Sequence, residues 1–178
     1  MEIKCVYAGS FDPPTNGHLW MIQKGASIFD KLVVAIGINP SKTYTFTLEE
    51  RIDMLKYITK DLRNVAVAHF ENEFLVRYAK SIGAQFILRG IRDSSDYEYE
   101  KSMRSVNEDI EKSITTVFLM PPEKLSKISS SLVKGLVGTK DWERIVSSYV
   151  PKYIFNYLKR SLDLQSRTNA PIDLGKNE

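Results

Sequence analysis

Val6-Tyr7-Ala8-Gly9-Ser10-Phe11-Asp12-Pro13-Pro14-Thr15-Asn16-Gly17-His18 reads as the end of a strand, a loop and the start of a helix in one stretch. The apolar run from Ile3 to Ala8 has strand character and breaks at Gly9. Asp-Pro-Pro then rules out helix and continued pairing, because each proline fixes φ and lacks an N–H. Thr15 or Asn16 can cap a helix that carries Leu19, Ile22 and Ala26 on one face. A strand, a glycine-bearing loop and a helix N-terminus together make an anion site, since backbone N–H groups and the helix dipole point into the loop's mouth. His18 falls in the first helical turn, where its side chain can reach the same anion. Gly17 has no Cβ, so a purine or ribose can lie against the backbone there.

Working outward, apolar strands alternate with helical patterns. Leu32 to Ile38 is continuously apolar, as a parallel strand covered on both faces requires. Asn39-Pro40-Ser41-Lys42 ends it. Thr47 with Glu50 is a capping box, and Ile52, Leu55 and Ile58 follow at helical spacing. Val65 to Ala68 is a third strand, and Glu73 to Ile82 a helix closed by Gly83. Phe86 to Leu88 is a fourth strand, followed by a polar helix from Ser95 to Glu111. Thr115 to Met120 is a fifth strand, stopped by Pro121-Pro122, with further helices over 128–137 and 151–162. This alternation predicts an α/β, doubly wound, five-stranded parallel sheet of Rossmann-like type in one domain over 1–162. Residues 163–178 are polar and aperiodic and are expected to form a flexible C-terminal tail. Ligands of such folds bind beyond the carboxyl ends of the strands, which is where Gly9-Ser10, Lys42, Arg89 to Arg92 and the segment after Met120 are expected to converge.

Composition excludes several function classes. With 178 residues, 43% hydrophobic and 26% charged, the chain suits one soluble domain. A net charge of +3 is too mild to argue for a nucleic-acid partner. The single cysteine, Cys5, lies in the first strand and reads as a small buried hydrophobe. No secretory signal is expected, and no apolar run approaches the roughly 20 residues needed to span a membrane. A cytoplasmic location follows as an expectation. His69 has no partner at metal spacing, and without a His/Cys cluster no protein-bound metal is expected. Neither a Walker-type phosphate loop nor a Gly-x-Ser-x-Gly elbow is present.

The candidate chemistry is anion binding. Ser10 can offer both hydroxyl and N–H to a phosphate at the first strand's end. Lys42 supplies a cation just beyond the second strand. Arg89 and Arg92 flank Gly90 after a buried strand, and two guanidiniums so close would repel unless an anion lay between them. Glu100, in the helix beyond, can accept from a ribose or an adenine amino group. Ser129-Ser130-Ser131 offers more hydroxyls than one helix cap needs, which suits a second phosphate nest.

Thr-x-Gly-His at 15–18 looks like the signature of the nucleotidyltransferase superfamily. With Gly-Ser-Phe-Asp-Pro at 9–13, Pro-Ser-Lys at 40–42, Phe-Thr-Leu-Glu-Glu-Arg at 46–51, Arg-Gly-Ile-Arg at 89–92, Tyr-Glu-Tyr-Glu at 97–100 and Ile-Ser-Ser-Ser-Leu-Val-Lys at 128–134, the chain resembles the bacterial phosphopantetheine adenylyltransferases from about residue 3 to 160. The resemblance implies transfer of AMP from ATP to 4′-phosphopantetheine with Mg²⁺ bound alongside ATP, in a homohexamer built as a dimer of trimers. It implies that His18 stabilises the transition state, with Lys42 and Arg92 as companion cations. Ser10, Lys42, Leu75 and Arg89 would hold phosphopantetheine. Ser10, Phe11, His18, Gly90, Ile91, Arg92, Glu100 and the run Leu125, Ser126, Lys127, Ile128, Ser129, Ser130 and Ser131 would bind ATP. Ala8 stands where the family commonly has proline, Ser10 where it usually has threonine, and Leu125 where an aromatic is frequent.

Overall fold

The computed structural model describes residues 2–168, with side chains placed through residue 162. β1 (Lys4–Gly9) is the middle strand of a five-stranded sheet ordered β3-β2-β1-β4-β5. Its neighbours are β2 (Lys31–Ile38) and β4 (Phe86–Gly90), with β3 (Val65–Glu71) and β5 (Thr115–Leu119) at the edges. All pairings are parallel, with Val6 opposite both Val33 and Ile87. The connecting helices are α1 (Asn16–Ile28), α2 (Leu48–Thr59), α3 (Leu75–Ser81) and α4 (Ser94–Ile110). Beyond β5 come α5 (Glu123–Ser126), α6 (Ser130–Leu136), α7 (Trp142–Val146) and α8 (Lys152–Thr168).

The side-chain alternation of β1 divides the core. Cys5 and Tyr7 face one side, packed with Ile22 of α1, Leu55 of α2 and the strand residues Leu32, Val34 and Leu88. Val6 and Ala8 face the other, against Val76 and Ala79 of α3 with Ala35 and Ile87. Gly25 lets α1 lie close to the sheet, because a Cβ there would come within 2.9 Å of Leu88 Cδ2. A third cluster, including Phe46, Met54, Val133 and Ile154, joins α8 and α6 to α2. The order of strands reverses beside β1, and the cleft at that reversal opens at the strands' carboxyl ends.

The expected doubly wound sheet is therefore present, with differences at the element ends. β3 runs on to Glu71, so His69 sits within it opposite Ile36 rather than beyond it. β4 extends through Arg89 and Gly90, whose partners on β5 are Phe118 and Leu119. Ladder partners on a neighbouring strand extend these strands past the apolar runs that announce them. α3 starts at Leu75, two residues after the expected Glu73. The helix expected from Ile128 starts at Ser130, preceded by the unanticipated short helix α5. α8 passes the expected boundary at 162 and reaches Thr168, while residues 169–178 of the expected tail lie outside the described residues.

Candidate active site

Part of what holds the β1–α1 turn is local. Thr15 is the N-cap of α1 and its hydroxyl accepts from the His18 N–H at 3.4 Å. The Thr15 N–H in turn donates to His18 Nδ1 at 3.0 Å, closing a capping box with an imidazole in place of the usual carboxylate. Because Nδ1 accepts a backbone N–H, the neutral ring must carry its proton on Nε2; this tautomer is assigned from the hydrogen-bond pattern. Burial, reinforced by the nearby Arg92 charge, lowers the imidazole to about 4, so it is neutral at pH 7. Phe11 stands behind it, fully buried, with its ring 5.1 Å from the His18 ring and 5.6 Å from Tyr7, edge-on to both. Its backbone has φ 49, a left-handed conformation, and the following Asp12–Pro13 peptide bond is cis.

His18 faces a cavity of about 250 Å³ at the carboxyl edge of the sheet. One wall is the end of β1 and the first turns of α1, including Gly9, Gly17 and Met21. Arg89, Gly90 and Arg92 form the second, backed by Asp96 and Glu100 of α4. Pro121, Leu125, Ile128, Ser129 and Ser130 form the third. The Leu125 carbonyl lies 3.6 Å from where a Cβ on Gly17 would sit, an ordinary contact distance, so α5 closes directly on the start of α1.

Nine of the expected site residues line this cavity: His18, Arg89, Gly90, Arg92, Glu100, Leu125, Ile128, Ser129 and Ser130. Others sit beside it. Ser10 is half-buried at the strand exit, with its carbonyl turned onto Arg51 Nη1 at 2.9 Å. Phe11 contributes its ring to the core rather than to the cavity wall. The Ile91 N–H ties the exit of β4 to the Leu119 carbonyl at 3.0 Å. Ser126 donates to the Glu123 carbonyl, while Lys127 and Ser131 are exposed. Leu75 opens α3 and packs on the core face that holds Val76, away from this cavity. Lys42 is exposed on the β2–α2 loop and is not part of the wall.

One expectation about charge is corrected. Arg89 and Arg92 need no shared anion, because each has its own carboxylate. Arg89 Nε donates to Glu100 Oε1 at 2.8 Å, its Nη2 contacts the same oxygen, and its Nη1 donates to the Ala8 carbonyl at 3.0 Å. Burial opposes its charge, but Glu100 more than restores it. Glu100, buried among these donors, gives Oε1 to Arg89. Arg92 pairs with Asp96 one helical turn on, through Nε at 2.8 Å and Nη2 at 3.0 Å. The triple-serine nest also divides: Ser129 caps α6 by accepting from the Leu132 N–H at 3.1 Å, and Ser130 donates to the Pro13 carbonyl at 2.8 Å.

Sequence reasoning missed two buried charged residues beside the site. Asp12, only 3% exposed, accepts from the Thr45 and Phe46 N–H groups and from Lys134 Nζ at 2.7 Å. Burial alone would raise its carboxyl, but Lys134 and the two N–H groups hold it below the ordinary range. Arg51 is 2% exposed in the first half of α2. A turn aspartate before proline and an arginine after Glu-Glu carry no signal that their partners lie 34 and 41 positions away.

The geometry suits polyanions: a neutral N–H donor, two held guanidiniums and a helix N-terminus face one polar cavity. The cytidylyltransferase-like family model matches residues 6–136. A phosphopantetheine adenylyltransferase of Neisseria meningitidis serogroup C is 57% identical over 152 residues, covering 85% of this chain and 89% of that protein. One from Chromobacterium violaceum is 50% identical over 152 residues, covering 85% and 93%. Among solved structures, the Plasmodium falciparum nicotinic acid mononucleotide adenylyltransferase complexed with NaAD superposes with a TM-score of 0.65 at 18% identity, covering 90% of this chain and 96% of that one. At that identity the likeness speaks for the fold alone.

Proposed function

The chain belongs to the phosphopantetheine adenylyltransferases of the cytidylyltransferase-like family, and from that premise we propose that it transfers AMP from ATP to 4′-phosphopantetheine, giving dephospho-coenzyme A and pyrophosphate. The observation that carries this reading is that His18, the start of α1 and Arg92 line one cavity, with His18 Nδ1 already used by the cap.

A phosphate monoester is largely ionised at pH 7, with its second pKa near ~6, so the nucleophile needs no base. Its oxygen attacks the α-phosphorus in line; the new P–O bond forms as the bond to the β-phosphate oxygen breaks, and pyrophosphate leaves with the electron pair. Positioning and fixed positive potential do the work, without a covalent intermediate. His18 donates from Nε2 to oxygen whose charge grows in the transition state. Arg92 is held by Asp96 and keeps donors for the triphosphate. Lys42, on the neighbouring loop, supplies the cation for the acceptor phosphate together with Arg89. Ser10, Gly90, Ile91 and the 125–131 segment complete the two substrate sites, with Leu75 along the pantetheine arm. Magnesium would arrive on the ATP phosphates; of the wall carboxylates, both Asp96 oxygens and Glu100 Oε1 are already held by arginines. It would supply charge neutralisation there. The same reading makes the protein a cytoplasmic homohexamer, a dimer of trimers, without nucleic-acid or membrane partners. Among the described residues no helix is long and apolar enough to cross a membrane.

The test is pyrophosphate release by the purified protein with ATP or CTP and each of 4′-phosphopantetheine, nicotinate mononucleotide and glycerol 3-phosphate. Release that requires ATP and phosphopantetheine together is the expected result. Release with another acceptor, or without one, would reassign the substrate. Light scattering of the same preparation checks the hexamer.

A further inference from the structure

Arg51 is the one charged residue of α2 that the fold buries, at 2% exposure, and its surroundings are not those of an ordinary ion pair. None of the ion pairs formed among the described residues includes it. Its partners are neutral. Nη1 donates to the Ser10 carbonyl at 2.9 Å and Nε to the Thr47 carbonyl at 3.2 Å, while the guanidinium lies over the Tyr44 ring, 4.1 Å from its centre. Tyr44 carries the connection onward. Its hydroxyl accepts from the Asn39 N–H at 2.8 Å, and the Asn39 carbonyl accepts from the Lys42 N–H at 3.0 Å. A continuous series of contacts thus runs from the backbone of Ser10 through Arg51 and Tyr44 to the turn that presents Lys42.

Burying a guanidinium among neutral groups is expensive, and an apolar side chain of similar size would fill the space at lower cost. The planar fork explains why arginine is there: it can bond two carbonyls in different directions and stack on a ring at once, which a lysine ammonium cannot. We infer that Arg51 is a positioning residue that fixes the Ser10 loop against the Lys42 loop, setting the distance between the two substrate phosphates. Asp12 runs a parallel crosslink from the first loop to the Thr45 and Phe46 N–H groups, so Arg51 governs the outer part of the second loop. The inference rests on the assignment of Ser10 and Lys42 to the adenylyl transfer above.

The experiment is a double-mutant cycle with hydrogen exchange beside it. Arg51→Lys should lower kcat/KM for phosphopantetheine about tenfold when Lys42 is present, but by no more than about twofold in a Lys42→Ala background. A purely structural arginine would cost the same in both backgrounds, and that result overturns the inference. Without substrates, Arg51→Lys should speed amide exchange in residues 9–12 and 39–44 while leaving β1 and β2 protected; unchanged exchange in those loops also overturns it. If Arg51→Lys does not fold, Tyr44→Leu breaks the same path from its outer end and is read identically. A wild-type protein that makes no dephospho-coenzyme A sinks the functional reading, and exchange then decides the crosslink by itself.

Discussion

Helices α1 and α2 begin with the same local device, built from different chemistry. In α2 the Thr47 hydroxyl accepts from the Glu50 N–H at 3.2 Å, and Glu50 Oε2 accepts from the Thr47 N–H at 2.7 Å. In α1 His18 takes the place of the glutamate. The spare atom of each closing residue differs. Glu50 has a second oxygen, which accepts from the Tyr157 hydroxyl at 2.6 Å and so ties α2 to α8. His18 has a ring nitrogen that must donate, and the residue lines the cavity. One box is spent on packing and the other leaves a pre-aimed proton donor, with the cap itself choosing which nitrogen carries the hydrogen. In the proposed adenylyl transfer, a helix start thus becomes part of the apparatus without a dedicated orienting residue.

The sharpest way to break the contrast is truncation. His18→Ala should lower kcat by about 10²- to 10³-fold, the cost of one oxyanion-type donor, while Glu50→Ala leaves kcat within about twofold and lowers stability by about 1 kcal/mol. Steady-state kinetics and urea melts of both variants check this. His18→Glu refines it by restoring a carboxylate box. That variant should melt near the wild type yet be at least as inactive as His18→Ala, because its remaining oxygen repels the phosphates.

Acid should separate the two boxes next. The folded imidazole, lowered to about 4, sits below its ordinary 6.5, so the unfolded chain takes up the proton first. Stability contributed by neutral His18 is complete above pH 6.5 and is lost as pH falls from there towards 4. Glu50 is held below its ordinary 4.5, first by the Tyr157 hydroxyl, so its contribution is present above that value and is lost only as pH falls further. Proton NMR of a His69→Gln variant, which leaves one histidine, should show no His18 titration near 6.5 in the folded protein. A midpoint near 6.5 would undo the assigned burial.

The smallest effect concerns the cap hydroxyls. Thr15→Ala and Thr47→Ala should each cost about 1 kcal/mol in thermal or urea unfolding. Only Thr15→Ala should also reduce kcat, by a few-fold, since it loosens the imidazole held 3.1 Å from that hydroxyl.

The α2 box was legible because Thr-x-x-Glu is a known spacing and both partners are local. The α1 box was half legible: Thr15 or Asn16 read as the cap and His18 as an anion donor, but nothing in a four-residue spacing says that one ring performs both tasks. The sheet was readable from continuous apolar runs such as Leu32 to Ile38, which burial on both faces demands. What stayed hidden depends on the path of the backbone between elements. Lys42 was expected with His18 and Arg92 in one cavity, yet the loop carries it outside the wall. Asp96 and Glu100 lie one helical turn apart on α4, and only the docking of that helix shows that they neutralise Arg92 and Arg89 separately. Asp12 and Arg51 were invisible for the same reason, each looking like a surface residue until a distant loop closes over it.

Phe11 carries a further consequence. A non-glycine residue in the left-handed region is strained by roughly 1–2 kcal/mol, and here burial of its ring offsets that strain. The turn is therefore moored by this apolar ring as well as by its buried charged ties, Asp12 to Lys134 and the Ser10 carbonyl to Arg51. Adding salt will weaken the pull on an anionic substrate, as for any ionic attraction. Buried ties are screened far less, so substrate affinity should follow ionic strength more closely than the shape of the receptor does.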